Sequence, residues 1–376
     1  MRSQATGGPR VLFVAGHRLN RAPGQRFRFE QYLDHLRAGG FTCELSPLLT
    51  AEDDKIFYSR AAAFRKVLVL ARCAVRRAKD VRRAQDFDIV FLQREAFFGG
   101  WPIFERAFKA AGVRMVLDFD DAIWLLDVSD ANRRYGFLKR PQKTAEIARM
   151  CDLIIAGNSF LRDYALEFNR NTIVIPTTID TLSYRRLAPP RTSGPVCIGW
   201  TGSTTTIPHF ETGVPYLAEI KAKFGDNVRF RVVGDASYRN QVLGVQGEAW
   251  NAATEVETLS DMDIGIMPLP DDVWSRGKCG LKGLQFMGLE IPVVMENVGA
   301  NRDIVTDGMD GFLATGPGEW VSKLSALVES AALRARIGSA GRRTVEARYS
   351  VTSQKDVYSR VLRELCNRQP SGEAVA

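Results

Sequence analysis

Residues 196–206, VCIGWTGSTTT, join a short apolar run to a turn of glycine and hydroxyl side chains. The run has the length and composition of a strand, and the segment 210–224 behind the turn has a helical pattern. Further strand candidates follow at 228–233, 264–267 and 292–295. The tail from about 320 to 366 is helical in pattern. This alternation predicts an α/β unit built on a parallel sheet.

The first half of the chain has the same organisation, so the apolar run at 196 begins a second unit of the same kind. Apolar runs predict strands at 11–15, 42–45, 88–92, 114–119, 153–156 and 172–175. Helices are predicted between them, near 29–38, 60–83, 103–111, 144–150 and 159–168. Three prolines within 187–195 indicate a linker between the halves. We therefore predict two Rossmann-like α/β domains facing across a cleft, at 1–188 and 189–350.

Composition excludes several classes of protein. The chain has 376 residues, 45% hydrophobic and 25% charged, which argues against disordered, collagen-like and disulfide-scaffold proteins. No apolar run reaches the roughly 18 residues needed to cross a bilayer. The six cysteines are scattered, and the three histidines lack the spacing of metal ligands, so we predict free thiols and neither a zinc site nor a histidine-based metal centre. The expected location is cytoplasmic.

Ligands of open parallel sheets bind beyond the carboxyl ends of the strands, so the loops after the strands are the candidate binding sites. Neither a GxGxxG nor a Walker A motif occurs, which argues against a standard NAD site and a P-loop. After the first strand, Gly24 permits close backbone approach, and Arg26 and Arg28 can meet an anion. The alternative is a solvated loop.

Three carboxylates follow the fourth strand within four residues: Asp118, Asp120 and Asp121. They repel one another, so a cation, a network of sugar hydroxyls or a helix N-terminus must compensate them. A Mg²⁺ site, a sugar-binding site and a general base all fit the pattern. The alternative is a helix N-cap with the remaining carboxylates exposed.

Two segments of the second half suggest a phosphate site. Gly202, Ser203 and Thr204 stand between a strand and a helix, which is a phosphate-cradling arrangement. The segment 276–282 carries three basic residues, Arg276, Lys278 and Lys282. Because the lysines are four residues apart, we expect them on one face at the start of a helix, where a diphosphate fits. The alternative is a solvated surface.

Four segments, in chain order, resemble family 4 (group 1) glycosyltransferases. They are 118–124 (DFDDAIW), 151–161 (CDLIIAGNSFL), 198–203 (IGWTGS) and 276–294 (RGKCGLKGLQFMGLEIPVV), the last followed by VGANR at 298–302. The resemblance implies the GT-B fold, with the last helix, within 351–376, returning to the first domain. It implies a retaining transfer without an essential metal, and no cofactor beyond a nucleotide-sugar co-substrate.

The resemblance and the positions of the loops together predict roles for individual residues. The predicted catalytic residues are Asp120 and Asp121, after the fourth strand. The predicted donor-binding residues are Gly202, Ser203, Thr204, Arg276, Lys278, Lys282 and Gln285. The predicted acceptor-binding residues, in loops of the first domain, are Gly24, Arg26, Arg28 and Trp124. The sequence departs from the family where many members have a Glu-x7-Glu pair, because those positions are Gly277 and Gln285. It also has Asp120 where many have a histidine.

The net charge of +8 comes from one segment. Between Arg60 and Arg83 there are nine basic residues and a single acid. A basic row falls on one side of the predicted helix, at Arg65, Arg72, Arg76, Lys79 and Arg83, and apolar residues fall on another. We predict docking on an anionic membrane surface. The alternatives are a helix packed on its own domain, and nucleic-acid binding, which the lack of interleaved aromatic residues disfavours.

These features predict a glycosyltransferase that moves a sugar from a nucleotide sugar to a glycan or lipid-linked acceptor. The predicted setting is synthesis of cell-surface polysaccharide or glycoconjugate, peripheral to the inner membrane face. One alternative is a nucleotide-sugar epimerase on the same fold. Another is a non-catalytic module that binds membrane or nucleic acid through the helix at 60–83.

Overall fold

A computed structural model of the chain describes residues 8–59, 62–125, 140, 142–187 and 191–367. The chain divides into two compact units. The first comprises Met1–Ile175 together with Lys355–Ala376, and the second comprises Pro176–Gln354. Each unit is a parallel sheet flanked by helices, so the two Rossmann-like domains that the sequence predicts are confirmed.

The described strands of the first unit lie within two residues of their predicted positions. They are β1 (Arg10–Ala15), β2 (Thr42–Pro47), β3 (Ile89–Gln93), β4 (Arg114–Phe119), β5 (Leu153–Ala156) and β6 (Thr172–Val174). All pair in parallel, in the order β2-β1-β3-β4-β5-β6. The central strands are buried along almost their whole length, because helices cover both faces of the sheet.

The helices of this unit are α1 (Pro23–Arg26), α2 (Leu33–Ala38), α3 (Ala51–Phe57), α4 (Ala63–Arg82), α5 (Ile103–Ala110), α6 (Gln142–Met150) and α7 (Ser159–Leu166). Short 3-10 turns occur at Glu30–Tyr32 and Ala84–Asp86. Helix α3 is absent from the sequence prediction. Its start has a local signal, since the Thr50 side chain accepts a hydrogen bond from the Asp53 backbone and three acidic residues occupy the first turn.

The second unit has its own parallel sheet. Its described strands are β7 (Val196–Thr201), β8 (Val228–Val233), β9 (Arg239–Asn240), β10 (Val245–Gln246), β11 (Ile264–Met267), β12 (Val293–Glu296) and β13 (Phe312–Ala314). Five of them form the sheet in the order β13-β12-β11-β7-β8, and β9 pairs antiparallel with β10. Strand β7 lies between β11 and β8 and is buried throughout, so the loop after it has a neighbouring strand on either side.

The remaining helices are α8 (Ile207–Glu211), α9 (Val214–Phe224), α10 (Glu255–Ser260), α11 (Val273–Arg276), α12 (Leu281–Gly288), α13 (Asn301–Ile304), α14 (Gly316–Glu329), α15 (Ala331–Arg348) and α16 (Val351–Asn367). Two 3-10 turns lie at Thr204–Thr206 and Gly225–Asn227. The helix predicted at 210–224 is interrupted, because Pro215 occupies the first turn of a new helix, α9.

The C-terminal helix α16 returns to the first unit, as predicted. Its Tyr358 ring stacks on Tyr32 with centroids 4.5 Å apart, and Arg363 lies 4.7 Å from the centroid of Phe41. The division between the units falls after Ile175, earlier than the predicted boundary at 188. Residues 176–187 pack with the second unit, where the Ile179 backbone N–H donates to the Tyr349 carbonyl at 2.8 Å. Prolines 189 and 190 of the predicted linker lie outside the described residues.

Candidate functional site

The loop after β7 brings together two predicted donor-binding residues. Gly202 follows the fully buried Trp200, and a Cβ atom on Gly202 would lie 2.2 Å from the indole atom Cη2. Lys282 lies in the first turn of α12, and its Nζ is 4.3 Å from the centroid of the same ring. The Trp200 ring therefore places the lysine ammonium beside a backbone position that only glycine can occupy.

Hydroxyl groups surround the same loop. Ser203 precedes the 3-10 turn Thr204–Thr206, its backbone N–H donates to Thr206 Oγ1 at 2.9 Å, and its Oγ lies 3.0 Å from Thr205 Oγ1. From the loop after β8, Gly234 (φ 137°) approaches closely, since a Cβ there would lie 2.5 Å from the Gly202 carbonyl oxygen. The backbones of the two loops therefore meet at a distance that only glycine at 234 permits.

The predicted helical face shared by Lys278 and Lys282 is wrong. Helix α12 begins only at Leu281, after Gly280 in the left-handed conformation (φ 66°). Lys278 therefore precedes the helix, and its Nζ lies 4.7 Å from the Trp274 ring centroid. The four-residue spacing does not place the two lysines on one helical face, because a left-handed glycine between them changes the direction of the chain. The half-exposed Arg276 forms an ion pair with Asp271 at 3.0 Å.

Gln285 lies in the core of the second unit, with 3% of its surface exposed. Its amide nitrogen donates to Glu255 Oε1 at 3.0 Å and to the Tyr184 hydroxyl at 3.1 Å. Tyr184 in turn donates to Glu255 Oε2 at 2.5 Å, and Trp250 donates to Oε1 at 2.8 Å. A carboxylate at 285 would face the Glu255 carboxylate, so the network accounts for glutamine where the family pattern has glutamate.

In the first unit, the structure contradicts the prediction that Arg28 meets a ligand. Its side chain is 1% exposed and pairs with the equally buried Asp118. Arg28 Nη2 lies 2.5 Å from Oδ1 and Nε lies 3.2 Å from Oδ2, while Nη1 donates to the Ile175 carbonyl at 2.5 Å. This ion pair belongs to the core, and it removes Asp118 from the predicted carboxylate cluster.

The other two carboxylates are compensated by an arginine that the sequence analysis missed. Arg94, directly after β3, places Nη2 at 2.7 Å from both Asp120 Oδ1 and Asp121 Oδ2. Burial disfavours its charge, but the two carboxylates raise the pKa of Arg94 above its ordinary value. Its backbone is left-handed (φ 66°), which is rare outside glycine and recurs at functional sites. No sequence pattern marks this residue.

Gly24 meets this ion pair directly. A Cβ on Gly24 would lie 2.9 Å from Asp120 Oδ2 and 3.0 Å from Arg94 Nη2. The Gln93 amide donates to the Gly24 carbonyl at 3.1 Å and holds the loop in place. The glycine thus allows close approach, as predicted, but what approaches in this structure is the ion pair of its own domain.

His17, two residues after the end of β1, is a second residue absent from the sequence predictions of the site. Burial, aided by Arg21, Arg94 and Arg18, lowers its pKa to about 4 against the pull of Asp54. Its Nδ1 lies 3.9 Å from Asp54 Oδ1 and has no hydrogen-bond partner among the described residues. The Tyr58 hydroxyl lies 3.4 Å from Nε2. A neutral imidazole at a strand end can bind or receive a proton, and its position after the first strand was the available signal.

The two remaining candidates for acceptor binding, Trp124 and Arg26, each contact an aromatic ring. Trp124 stacks on Tyr164 with ring centroids 3.7 Å apart and an interplanar angle of 7°. Arg26 lies over the Phe27 ring at 4.8 Å. Among the described residues, no group of three histidine, cysteine or acidic side chains is arranged to hold a metal ion.

Part of the basic row of helix α4 pairs with acidic residues of its own domain. Arg72 and Arg76 pair with Asp53 of α3 at 2.5 and 2.6 Å, and Arg83, beyond the helix end, pairs with Asp80 at 2.9 Å. Arg65, Arg72 and Lys79 of the row are exposed, and Arg60 lies outside the described residues. An apolar strip that the sequence analysis did not place outward is exposed as well, since four residues are more than half exposed: Phe64, Val67, Leu68 and Val75.

The apolar strip of α4 faces away from the core that Val69 and Cys73 form with the chain after β2. In the part of the chain that the structure describes, no helix combines the length and the apolar character needed to span a bilayer.

Residues 198–330 match the family described as "Glycosyl transferases group 1". The match covers β7, the glycine loop after it and α12, and therefore includes Gly202 and Lys282.

Solved structures resemble the chain over nearly its whole length. The Anabaena protein Alr3699/HepE, solved with UDP and glucose, has a TM-score of 0.65 and 16% identity over 95% of this chain and 100% of that one. A Rickettsia africae glycosyltransferase has a TM-score of 0.67 and 13% identity, over 97% of this chain and 100% of that one. Sucrose-phosphate synthase from Thermosynechococcus elongatus has a TM-score of 0.63 and 12% identity, over 95% of this chain and 98% of that one. The likeness identifies the fold as GT-B.

Proposed function

We propose that the chain is a glycosyltransferase that moves a sugar from a nucleotide sugar to a glycan or lipid-linked acceptor. The observation that carries the proposal is that Gly202 and Lys282 both lie against the ring of Trp200. The hydroxyls of the loop can donate hydrogen bonds to diphosphate oxygens, and the lysine adds a positive charge at the N-terminus of α12. Both residues lie inside the segment that matches group 1 glycosyltransferases.

The donor is a UDP-sugar in this proposal, because the similar Anabaena protein was solved with UDP and with UDP-glucose. Lys278 and Lys282 neutralise the diphosphate, with the hydroxyls of Ser203 and Thr204 beside it. The transfer is retaining and uses no metal or further cofactor. These finer assignments follow the resemblance in the sequence.

In the first unit, we assign Asp120 and Asp121 to the reacting sugars. Arg94 holds both carboxylates in place, and their oxygens accept hydrogen bonds from sugar hydroxyls. His17 and the Trp124–Tyr164 stack supply a neutral imidazole and an aromatic surface on the same unit. Binding by fixed groups of this kind orients a hydroxyl without reorganisation of the site.

Membrane docking through helix α4 also forms part of the proposal, and the docking surface now includes the exposed apolar strip of the helix. The exposed apolar strip of α4 inserts among lipid chains, and Arg65 and Lys79 beside it meet anionic headgroups. Arg72, Arg76 and Arg83 pair with carboxylates of their own domain. Such docking suits a cytoplasmic enzyme that reaches lipid-linked acceptors at the inner membrane face, in polysaccharide or glycoconjugate synthesis.

The test is thermal stabilisation of the full chain by UDP-, GDP- and ADP-sugars, with UDP-glucose first. A ligand at 100 times its Kd stabilises the folded state by about 2.7 kcal/mol. Replacing Lys278 and Lys282 by alanine should abolish the shift. Lys223→Ala, a half-exposed lysine of the same unit paired with Glu329, serves as the matched control.

Unchanged donor affinity in the double variant would refute the phosphate assignment. Incubation with donor alone separates a transferase from an epimerase, because only an epimerase converts the donor sugar without an acceptor.

A further inference from the structure

A second cluster of basic residues lies in the second unit, around a cavity of about 360 Å³. Four arginines and two glutamates line it: Arg185, Arg186, Arg342, Arg343, Glu290 and Glu346. The arginines come from two separate parts of the chain, the segment before β7 and helix α15. Neither part belongs to the glycine loop or to the lysine segment that we assign to the donor.

The wall of the cavity is held rigidly by Arg342. Its guanidinium donates to the carbonyls of Tyr184 and Gly288, to the Thr181 carbonyl at 2.7 Å, and to Glu346 Oε1 at 2.7 Å. These bonds join the segment before β7, the end of α12 and α15 at a single side chain. The cavity is therefore preorganised by contacts within one unit.

Helix α15 also approaches the cavity floor closely. A Cβ on Gly338 would lie 2.1 Å from the Glu290 carbonyl oxygen, so this approach requires glycine. Glu290 itself has a left-handed backbone (φ 58°), a conformation with a cost for a residue that bears a side chain. Strain held by tight packing is a recurring property of binding sites.

The charge of the cavity is unbalanced. Four arginines against two glutamates leave an excess of two positive charges, and Arg342 already uses Glu346. Arg343 donates to the Ser339 hydroxyl at 3.0 Å, which is a neutral partner. Burial lowers the pKa of Arg186, while Asp263 and Glu290 raise it and the more weakly coupled Arg191 and Arg334 lower it. An anion in the cavity would offset the excess positive charge of the residues that line it.

We propose that this cavity binds the phosphate group of a small phosphorylated molecule. A phosphate monoester carries close to two negative charges at neutral pH, which matches the excess, whereas a single carboxylate does not. Guanidinium groups from two directions suit its oxygens, because arginine binds phosphate in a two-point geometry. The volume lies at the lower end of the range for small-molecule sites. The phosphate monoester of a phosphatidate headgroup has the same charge and oxygens as that of a dissolved phosphorylated metabolite.

The site is separate from the proposed donor site. Lys282 occupies the first turn of α12, whereas the carbonyl of Gly288, which Arg342 binds, is at the last residue. Six residues of α-helix span about 9 Å along the axis. Phosphate binding at the two ends can therefore be separated by variants, and the inference does not depend on the proposed function.

The experiment uses the full chain with Lys278→Ala and Lys282→Ala, so that phosphate bound at the donor site does not contribute. Inorganic phosphate is titrated by calorimetry at pH 8 and constant ionic strength. We expect saturable binding of one phosphate per chain. Adding Arg185→Gln and Arg343→Gln should weaken it about ten-fold or more. Arg360→Gln, on the exposed side of α16, should leave it unchanged.

Equal affinity with and without the two glutamine substitutions would overturn the proposal, as would the absence of saturable binding in the lysine double variant. Circular dichroism and thermal melting establish that each variant is folded. Sedimentation with phosphatidate vesicles, against phosphatidylcholine vesicles, identifies the source of the phosphate. Arginine-dependent vesicle binding indicates a headgroup, and binding of dissolved phosphate alone indicates a metabolite.

Discussion

Arg94 and Asp120 form an ion pair in which both Nε and Nη2 of the arginine donate to Oδ1, at 3.0 and 2.7 Å. The residues follow neighbouring strands, β3 and β4, which pair in parallel along their length. Parallel pairing brings the two strand ends together, although 26 residues separate them in the chain. The ion pair explains how two adjacent carboxylates can share one sheet edge.

Arg94→Met should destabilise the protein by about 1–3 kcal/mol at pH 7.5, because Asp120 and Asp121 then repel each other without a partner. The loss should shrink at pH 4.5, where one carboxyl can take up a proton. Arg94→Lys keeps the charge and should lose less. Urea unfolding at both pH values measures these differences.

Arg162→Met is the matched control for Arg94, since it removes an exposed arginine that pairs with Asp163. Its effect should stay below about 0.5 kcal/mol. An equal loss at both pH values for Arg94→Met would indicate lost packing instead of carboxylate repulsion.

Gln285→Glu should destabilise the second unit by about 2–4 kcal/mol at pH 8, because two buried carboxylates would meet at the position of the Gln285–Glu255 hydrogen bond. Repulsion raises the pKa of the pair, so the folded state binds an extra proton and the deficit grows as pH rises. Denaturant unfolding between pH 5 and 8 measures this slope.

The exchange Glu255→Gln with Gln285→Glu tests the same contact by restoring one amide and one carboxylate. It should recover more than half of the lost stability. Additive losses in the double variant would show that the two side chains do not interact in the folded protein.

The free energy of unfolding should rise with pH between about 4 and 6.5 because of His17. Its pKa falls from 6.5 to about 4 on folding, so in this window the unfolded chain binds more protons. The contribution is present above pH 6.5 and is lost as pH falls toward 4, by about 3 kcal/mol. The comparison of wild type with His17→Gln across this range isolates it.

Direct observation of the His17 ring by NMR gives an independent measurement of the same shift. A ring that titrates near pH 6.5 in the folded protein would contradict the burial argument. The slope of stability against pH should then be the same in wild type and His17→Gln.

The α4 strip should contribute to lipid binding and little to folding. Phe64→Ser, Val67→Ser and Leu68→Ser should each change the free energy of unfolding by less than about 0.5 kcal/mol, since these side chains are exposed. Together they should reduce sedimentation with anionic vesicles several-fold. Val69→Ser, on the buried face, should instead destabilise by about 2–3 kcal/mol.

Unchanged vesicle binding in the triple variant would exclude this surface as the docking site. Arg65→Gln with Lys79→Gln should weaken binding at low salt and have little effect at high salt, because ions screen exposed charges. The salt dependence therefore separates the electrostatic from the apolar part of the interaction.

The strands of both sheets could be predicted from sequence because a buried strand is a continuous apolar run. The Gly202 loop could be predicted as well, since its glycine and hydroxyls follow a strand directly. The partners of charged groups could not be predicted, because they come from distant segments. Asp53 pairs with Arg72 and Arg76 of another helix, and Glu255, 30 residues away in the chain, explains the glutamine at 285.

By itself, the sequence determined two α/β units, the order of their strands along the chain, and a glycine loop followed by a lysine segment that fits a phosphate. These features are local, because backbone preference and apolar periodicity act over a few residues. Only the tertiary structure decided which charged side chains form ion pairs within the protein. It buried Arg28 against Asp118, tied Asp120 to Arg94, and turned the apolar side of α4 outward. Desolvation and ion pairing depend on what folding brings within a few ångströms, and sequence separation carries no record of that distance.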